Sequence, residues 1–240
     1  MLTFYIDDQS AWVMHGIWVG DDITESIPKP RFNEQSGDGI DGTYRYFLDT
    51  YDDITQSFTC YFSVSIGMSW KAKLRHIKAW LLSFNDNKEH QLQFADDFEW
   101  YKRISKIELG NSEYIGSHVG KFTLEITCEP YDYMVEGQYE HEINEVTYNS
   151  WWMCKPIYVL RGEANTKQWF EINGYRETMT FNRKCIAYFD VDKGLAYDEN
   201  GSLLNSQNHQ LNKYVLNSGL NTIKTSEDAD LKVIPNWRCV

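Results

Sequence analysis

Four Asp-Asp pairs, Asp7-Asp8, Asp21-Asp22, Asp52-Asp53 and Asp96-Asp97, are the residues whose type and repetition first suggest chemistry. Two carboxylates facing each other across a cleft can hydrolyse a glycosidic bond. Neighbours in a strand point to opposite faces, however, and neighbours in a turn both point to water. The pairs therefore read as solvated turns. The six histidines, His15, His76, His90, His118, His141 and His209, form neither H-x-x-x-H nor H-E-x-x-H. Tyr139-Glu140-His141-Glu142 offers an imidazole and two carboxylates to a cation, but in a segment that reads as a linker, without the rigid frame metal ligands need. Asp190-Val191-Asp192-Lys193-Gly194 opens like a calcium loop, yet lacks the oxygen ligand before its glycine and the later glutamate; a hairpin turn is the simpler reading. G-x-S-x-G and the phosphate loop are absent. The motifs imply no catalytic residue, no bound metal and no cofactor, and the chain reads as a non-enzyme.

Two further residue types remain. Cys60, Cys128, Cys154, Cys185 and Cys239 are odd in number, widely spaced and free of any C-x-x-C pair, so they read as buried, reduced thiols. Trp151, Trp152 and Trp169 have the flat faces that stack on sugar rings, and are equally suited to a core.

The elements that must position these groups follow from periodicity. Trp70, Leu74, Ile77, Leu81 and Phe84 are spaced four, three, four and three, which makes one stripe on a helix. Ser69 is placed to cap it, Asn85-Asp86-Asn87 to stop it, and Lys71, Arg75 and Lys78 lie on another face. Almost everything else alternates. Residues 3–6 and 11–19 read as a first hairpin, and 55–66 as the clearest half-buried strand. Strands follow at 91–94, 100–109 and 121–128, the last ended by Glu129-Pro130. Residues 21–42, with Pro28 and Pro30, read as a long excursion without apolar period. Beyond an acidic, aromatic stretch at 131–149, short strands recur at 156–161, 168–172, 177–181, 184–190, 195–198, 213–216, 221–225 and 231–237. The turn signals Asn173-Gly174, Lys193-Gly194 and Asn200-Gly201 lie among them. Many short strands at regular spacing mean a sandwich or barrel. The fold class is mainly β, with one α-helix in a first part (1–137) and a sandwich or barrel in a second (138–240).

Charge supports that division. The net charge is -12; residues 1–137 carry 22 acids and 12 bases, residues 138–240 carry 13 and 11. Such a balance opposes direct nucleic-acid binding, which draws its affinity from cations on phosphates. Neither a secretory signal nor a membrane-length apolar run is present, so no membrane insertion is expected and the chain reads as soluble and made in a reducing compartment.

These residues, taken in order, resemble the distal tail proteins of long, flexible-tailed phages that infect Gram-positive bacteria. Ile27-Pro28-Lys29-Pro30 is followed by a glycine-rich segment at 37–42 and Tyr51-Asp52-Asp53-Ile54. Then come Ala79-Trp80-Leu81, Leu92-Gln93-Phe94-Ala95-Asp96-Asp97, Trp100-Tyr101-Lys102, Gly120-Lys121-Phe122-Thr123 and Cys128-Glu129-Pro130-Tyr131. Looser marks continue through Pro156-Ile157-Tyr158, residues 170–174 and Gly219-Leu220-Asn221 to Ile234-Pro235-Asn236-Trp237-Arg238. Where the family often has an arginine in the glycine-rich segment, this chain has none.

The resemblance implies a fold, an N-terminal β-sandwich with one α-helix followed by a galectin-like C-terminal β-sandwich, and a structural hub. Its N-terminal domains would close into a homo-hexameric ring at the tail tip of the virion, between the tail tube protein and a tail-associated fibre or lysin protein. In some members the second domain holds receptor-binding proteins. The chain would be made in the host bacterial cytoplasm. Galectin-like names a shape, since the spaced His, Asn, Arg and stacking Trp of sugar-binding galectins is not recognisable around His209 and Asn212. The excursion at 21–42 suits an arm that clasps a neighbour, with Pro28, Pro30, Phe32, Ile40, Tyr44, Tyr46 and Phe47 as candidate contacts. Acids of the first domain are expected to line the lumen and repel DNA. The alternative is a carbohydrate-binding module acting in host-cell adsorption, through Trp151, Trp152 or Trp169.

Overall fold

Period-two alternation dominates the sequence, and the molecule is mainly β. The computed structural model describes residues 2–37, 41–116, 118–204 and 210–240. The chain divides into two units, Met1–Asp132 and Tyr133–Cys239.

The first unit opens with β1 (Phe4–Ile6) and β2 (Gln9–Ser10), joined by Asp7 and Asp8 at φ 48° and 65°. Two left-handed residues make the tight turn that suits strand twist. Helix α1 (Ala11–His15) follows where sequence periodicity suggested a strand. Ser10 caps it by accepting a hydrogen bond from the Val13 N–H, and Gly16 ends it at φ 63°, where a β-carbon would lie 2.6 Å from the Ser63 hydroxyl oxygen. The expected hairpin of 3–6 with 11–19 is thus replaced by a two-residue return strand and one capped helical turn.

Next come β3 (Ile17–Glu25), β4 (Pro30–Gln35), β5 (Tyr44–Tyr51), β6 (Ile54–Ser63), α2 (Trp70–Leu82), β7 (His90–Phe94), β8 (Asp97–Gly116) and β9 (Val119–Met134). The main sheet has the order β2-β1-β7-β8-β9-β6-β3, and a Leu2–Val19 bridge links its two ends, so it doubles over one core. Phe58, Cys60, Phe62 and Val64 all point into that core, whereas Ile66, expected on the same face, lies beyond the strand and is 93% exposed. Ser69 caps α2 through the Ala72 N–H, and Leu74, Ile77, Leu81 and Phe84 are buried against the sheet. Trp70 is partly buried, stacked on Tyr114.

Two sequence expectations fail in this unit for identifiable reasons. Asp21-Asp22 lies inside β3, at the register shift between Val19 and Ile23, and not in a turn. Glu129-Pro130 does not end β9, because pairing with β6 stops at Cys128 and the missing proline N–H breaks no rung to that strand.

In the second unit the short strands are β10 (His141–Glu142), β11 (Tyr148–Asn149), β12 (Ile157–Gly162), β13 (Thr166–Ile172), β14 (Tyr175–Phe181), β15 (Cys185–Asp190), β16 (Leu195–Asp198), β17 (Gly219–Leu220), β18 (Ile223–Thr225), β19 (Asp230–Ile234) and β20 (Arg238–Cys239). They build one sheet of order β10-β19-β12-β15-β16 and another of order β14-β13-β18, the two faces of a sandwich. Tyr158 from the first stacks on Phe170 from the second, and Phe189 and Tyr214 meet the same ring edge-on. Gly162 admits the Phe181 ring, which would sit 2.2 Å from any β-carbon there. Asn173 and Gly174, at φ 49° and 88°, turn β13 into β14 as their types predict. The strand expected at 213–216 is instead a 3-10 turn, Leu211–Lys213, followed by a single bridge from Leu216 to Cys154.

Because Ile77 is fully buried where α2 meets the sheet, Ile77→Ala is expected to destabilise the first unit by about 2–4 kcal/mol, a transfer loss plus a cavity. Urea unfolding of the full chain, with the two transitions resolved, checks this value.

Candidate functional site

Strands β3 and β6 form a hairpin that overshoots its sheet. Their register continues past Glu25–Gln56 without slipping: the Ser26 N–H donates to the Thr55 carbonyl, the Asp52 N–H to the Lys29 carbonyl, and Pro30 pairs with Tyr51. β9 accompanies β6 only to the Ile54–Cys128 pair. From there the ribbon of β4 and β5 is paired only to itself, and every residue of β4 is exposed.

Facing pairs share a side in an antiparallel ribbon, so this arm has two distinct faces. One carries Phe32 and Phe47, in ring contact, and the Glu34–Arg45 ion pair at 2.9 Å. Phe47 also meets Tyr51, whose ring meets Tyr131 on the body. The other face carries Tyr44, Tyr46 and Leu48, with Asn33 and Gln35 opposite the tyrosines. Tyr44 and Tyr46 are 63% and 59% exposed. A side of two tyrosines and a leucine left in water is unusual for a ribbon without further cover.

The candidates named from sequence are thereby placed. Phe32, Tyr44, Tyr46 and Phe47 come together on the arm. Pro28 lies half-buried in the link before β4 and Pro30 opens β4, exposed. Ile40 lies outside the described residues. In the second unit, Trp169 on β13 is half-buried, with the Arg176 guanidinium 3.8 Å over its ring and Arg176 held in turn by Glu171. Trp151 and Trp152 sit in the link between β11 and β12, the second 43% exposed. The Glu140-His141-Glu142 trio is occupied by protein partners: Glu140 accepts from Arg161, Glu142 from Lys232, and His141 faces Glu145 and Trp237. Sequence reading missed Leu48 on the arm and the exposed Trp12, Val13 and Met14 of α1. Those three consecutive large apolar residues were a signal in themselves, since no strand buries three in a row on one face.

The root of the arm is held by charge. Lys102 on β8 is almost fully buried and binds Glu25, at the end of β3, at 2.9 Å and Asp132 on β9 at 2.5 Å. Burial alone would lower the Lys102 pKa, but the hydrogen bonds to Asp132 and Glu25 outweigh it and the ammonium form is favoured. Asp53 accepts from the Ser105 hydroxyl and Asp52 pairs with Arg31 at 2.6 Å.

A second charged cluster lies at the far end of α2. His90 places Nδ1 2.5 Å from Asp7 and Nε2 2.9 Å from Asp86. Both ring nitrogens face carboxylates, so the doubly protonated imidazolium fits best. Burial works against the charge, but Asp7 and Asp86 together raise the His90 pKa above its ordinary value. Asp86 is lowered in turn, first by the Lys88 N–H and then by His90. Asp7, read from sequence as a solvated turn residue, is therefore a structural acceptor that also takes the Gln91 N–H.

Comparison with known proteins returns no matching family model and no matching curated protein. Among solved structures the fold is similar to the crystal structure of the Dit (gp 19.1) protein of SPP1, described as a paradigm of the hub adsorption apparatus in phages infecting Gram-positive bacteria. The TM-score is 0.66 at 13% sequence identity, over 97% of each chain.

Two expectations follow from the charged clusters. Lys102→Ala should cost about 1–2 kcal/mol in urea unfolding, less than a fully buried pair because Glu25 and Asp132 keep access to water. For His90, a raised folded pKa means stabilisation fully present below the unfolded value of 6.5 and lost as pH rises through the folded value. His15, whose pKa is lowered by burial and by Lys73 and His76, works in the opposite sense, so the comparison must be with His90→Gln. The melting-temperature gap between wild type and this variant should be widest near pH 6 and narrow by pH 8 to 9.

Proposed function

We propose that this chain is a distal tail protein, a structural hub of a phage tail tip whose first units close into a homo-hexameric ring through the β4–β5 arm. The observation that carries the reading is the arm: a two-stranded ribbon beyond its sheet with Tyr44, Tyr46 and Leu48 open to water. Two strands alone are marginal in water, and a head-to-tail ring requires that each copy give one surface and receive with another. The fold likeness to a protein described as a hub of an adsorption apparatus supports the same role.

In this reading the ring joins the tail tube protein on one side to a tail-associated fibre or lysin protein on the other, and the second unit offers a seat to receptor-binding proteins. The boundary between ring-forming and galectin-like parts is taken at 137/138, a few residues after the division seen in the fold. The chain acts in the virion, after synthesis in the host cytoplasm, and performs no catalysis. The acids of the first unit keep passing DNA from adhering to the ring, by like-charge repulsion with its phosphates. Among the described residues no helix is long and apolar enough to cross a membrane. A carbohydrate-binding role for the second unit needs an open aromatic face, and Arg176 already covers one face of Trp169.

The test is the solution mass by light scattering over a range of concentrations. Wild type is expected to reach about six times the 28.3 kDa chain mass. Tyr44→Ser combined with Tyr46→Ser is expected to remain monomeric with stability unchanged to about 0.5 kcal/mol, since both residues are exposed within the single chain. Equal masses for the two proteins at every concentration would remove the arm as the joining element.

A further inference from the structure

The arm needs a receiving surface, and the first unit carries a suitable one at the other end of β3. Helix α1 directly precedes β3 and the arm directly follows it, so the nine residues of that strand hold them about 30 Å apart. On α1, Trp12, Val13 and Met14 are exposed, Val13 to 78%. Trp12 meets Trp18 edge-on, and Trp18 stacks on Tyr61, which extends the apolar area over the outer face of β3 and β6.

Helix α2 adjoins this patch. The His15 ring lies 5.0 Å from Trp80, and Lys73 and His76 are close enough to disfavour a charge on His15. Residues 69–84 include Lys71, Lys73, Arg75 and Lys78 and no acid, whereas residues 21–53, which lead into and through the arm, carry nine acids and three bases. One end of the unit is therefore aromatic and acidic, the other apolar and basic. A second apolar group, Ile66, Met68, Tyr114 and Ile115, also lies exposed near the end of β6. The neighbouring Lys121 is already paired with Glu113, and Tyr114 is stacked on Trp70, so the crosslinking experiment below distinguishes this group from the α1 surface.

We infer that the surface formed by α1 and the face of α2 beside it receives the arm of the neighbouring copy, with Trp12, Val13 and Met14 against Tyr44, Tyr46 and Leu48, and the cations of α2 steering the acidic strand. This assignment rests on the ring reading and specifies its second half. It also makes assembly salt-sensitive, since the steering charges are exposed.

The experiment uses the full chain with Tyr46 replaced by p-benzoylphenylalanine, prepared in light and heavy isotopic forms, mixed and irradiated. Crosslinks between a light and a heavy chain should fall in peptides covering 11–16 or 69–84. Val13→Asp with Met14→Asp, both exposed, should melt like wild type and associate at least about tenfold more weakly, since they set acids against the acidic arm. Mixed with the Tyr44→Ser, Tyr46→Ser protein, that variant should give a species of twice the chain mass and nothing larger, because each such pair retains one intact interface. Crosslinks confined to single chains, or landing in 110–116, would overturn the assignment while leaving the ring standing. A wild type that stays monomeric at every concentration would overturn the ring and the assignment together.

Discussion

A strand that runs past the edge of its sheet keeps hydrogen bonds on one side only. β6 is paired by β9 from Ile54 to Ser63 and by β3 from Gln56 to Phe62. Beyond Ile54 the same chain continues as β5 with β4 as its sole neighbour. Each strand of the arm then presents an open backbone edge and two wet faces, a form that soluble proteins usually blunt or cover. What keeps it in place is the root. Glu25, Lys102 and Asp132 tie three strands together there, the Ser26 and Thr55 backbones are linked through a hydrogen bond and the Ser26 hydroxyl, and Tyr51 rests on Tyr131. These contacts are concentrated where the arm leaves the body, and Tyr44 and Tyr46 beyond it are left in water.

Behind the root the opposite rule holds where α2 meets the sheet, and the facing apolar side chains are buried. One stripe of α2 is buried and another is covered with cations, because a helix placed on a doubled-over sheet has one dry side and one wet side. The same helix sets two histidines against each other. His15 sits beside Lys73 and His76 and has its pKa lowered, first by burial and then by those neighbours, whereas His90 sits between two aspartates that raise its pKa against the effect of burial. The four buried thiols follow the same physics: loss of water pushes Cys128 up to about 12 and Cys154 up to about 11, so both remain protonated and inert.

Elements with one dry face were legible in the sequence, and elements without one were not. α2 and the Phe58-to-Val64 stretch of β6 announced themselves because burial on a single side imposes a period. The arm did not: with both faces in water, Pro30–Gln35 has no alternation to read, and a strand resembled an irregular excursion. α1 was missed because its five residues are too few to display a helical period, although Ser10 and Gly16 were correct caps on either side. β9 ran on past Pro130 for a reason of pairing that only tertiary structure supplies. Of the candidate contacts, the aromatics at 44, 46 and 47 were found from their position after the glycine-rich segment, and Phe32 from its place in the excursion before it. Trp12, Val13 and Met14 were absorbed into a strand reading that would have buried them.

At 13% identity two chains can share a fold over nearly their whole length because a core requires volume and patterning more than particular side chains. Phe58, Phe62 and Phe122 are exchangeable with other large apolar residues provided the space is filled. The same tolerance does not extend to a protruding ribbon, whose faces contribute nothing to its own core. Tyr44, Tyr46 and Leu48 gain no stability inside one chain, so retaining them in water carries a solubility cost with no internal return. Such a cost is offset only where those groups are buried in an assembly. The placement of exposed aromatics on the arm, and of cations on the outer face of α2, is thus the part of this sequence least explained by folding and most readily explained by association.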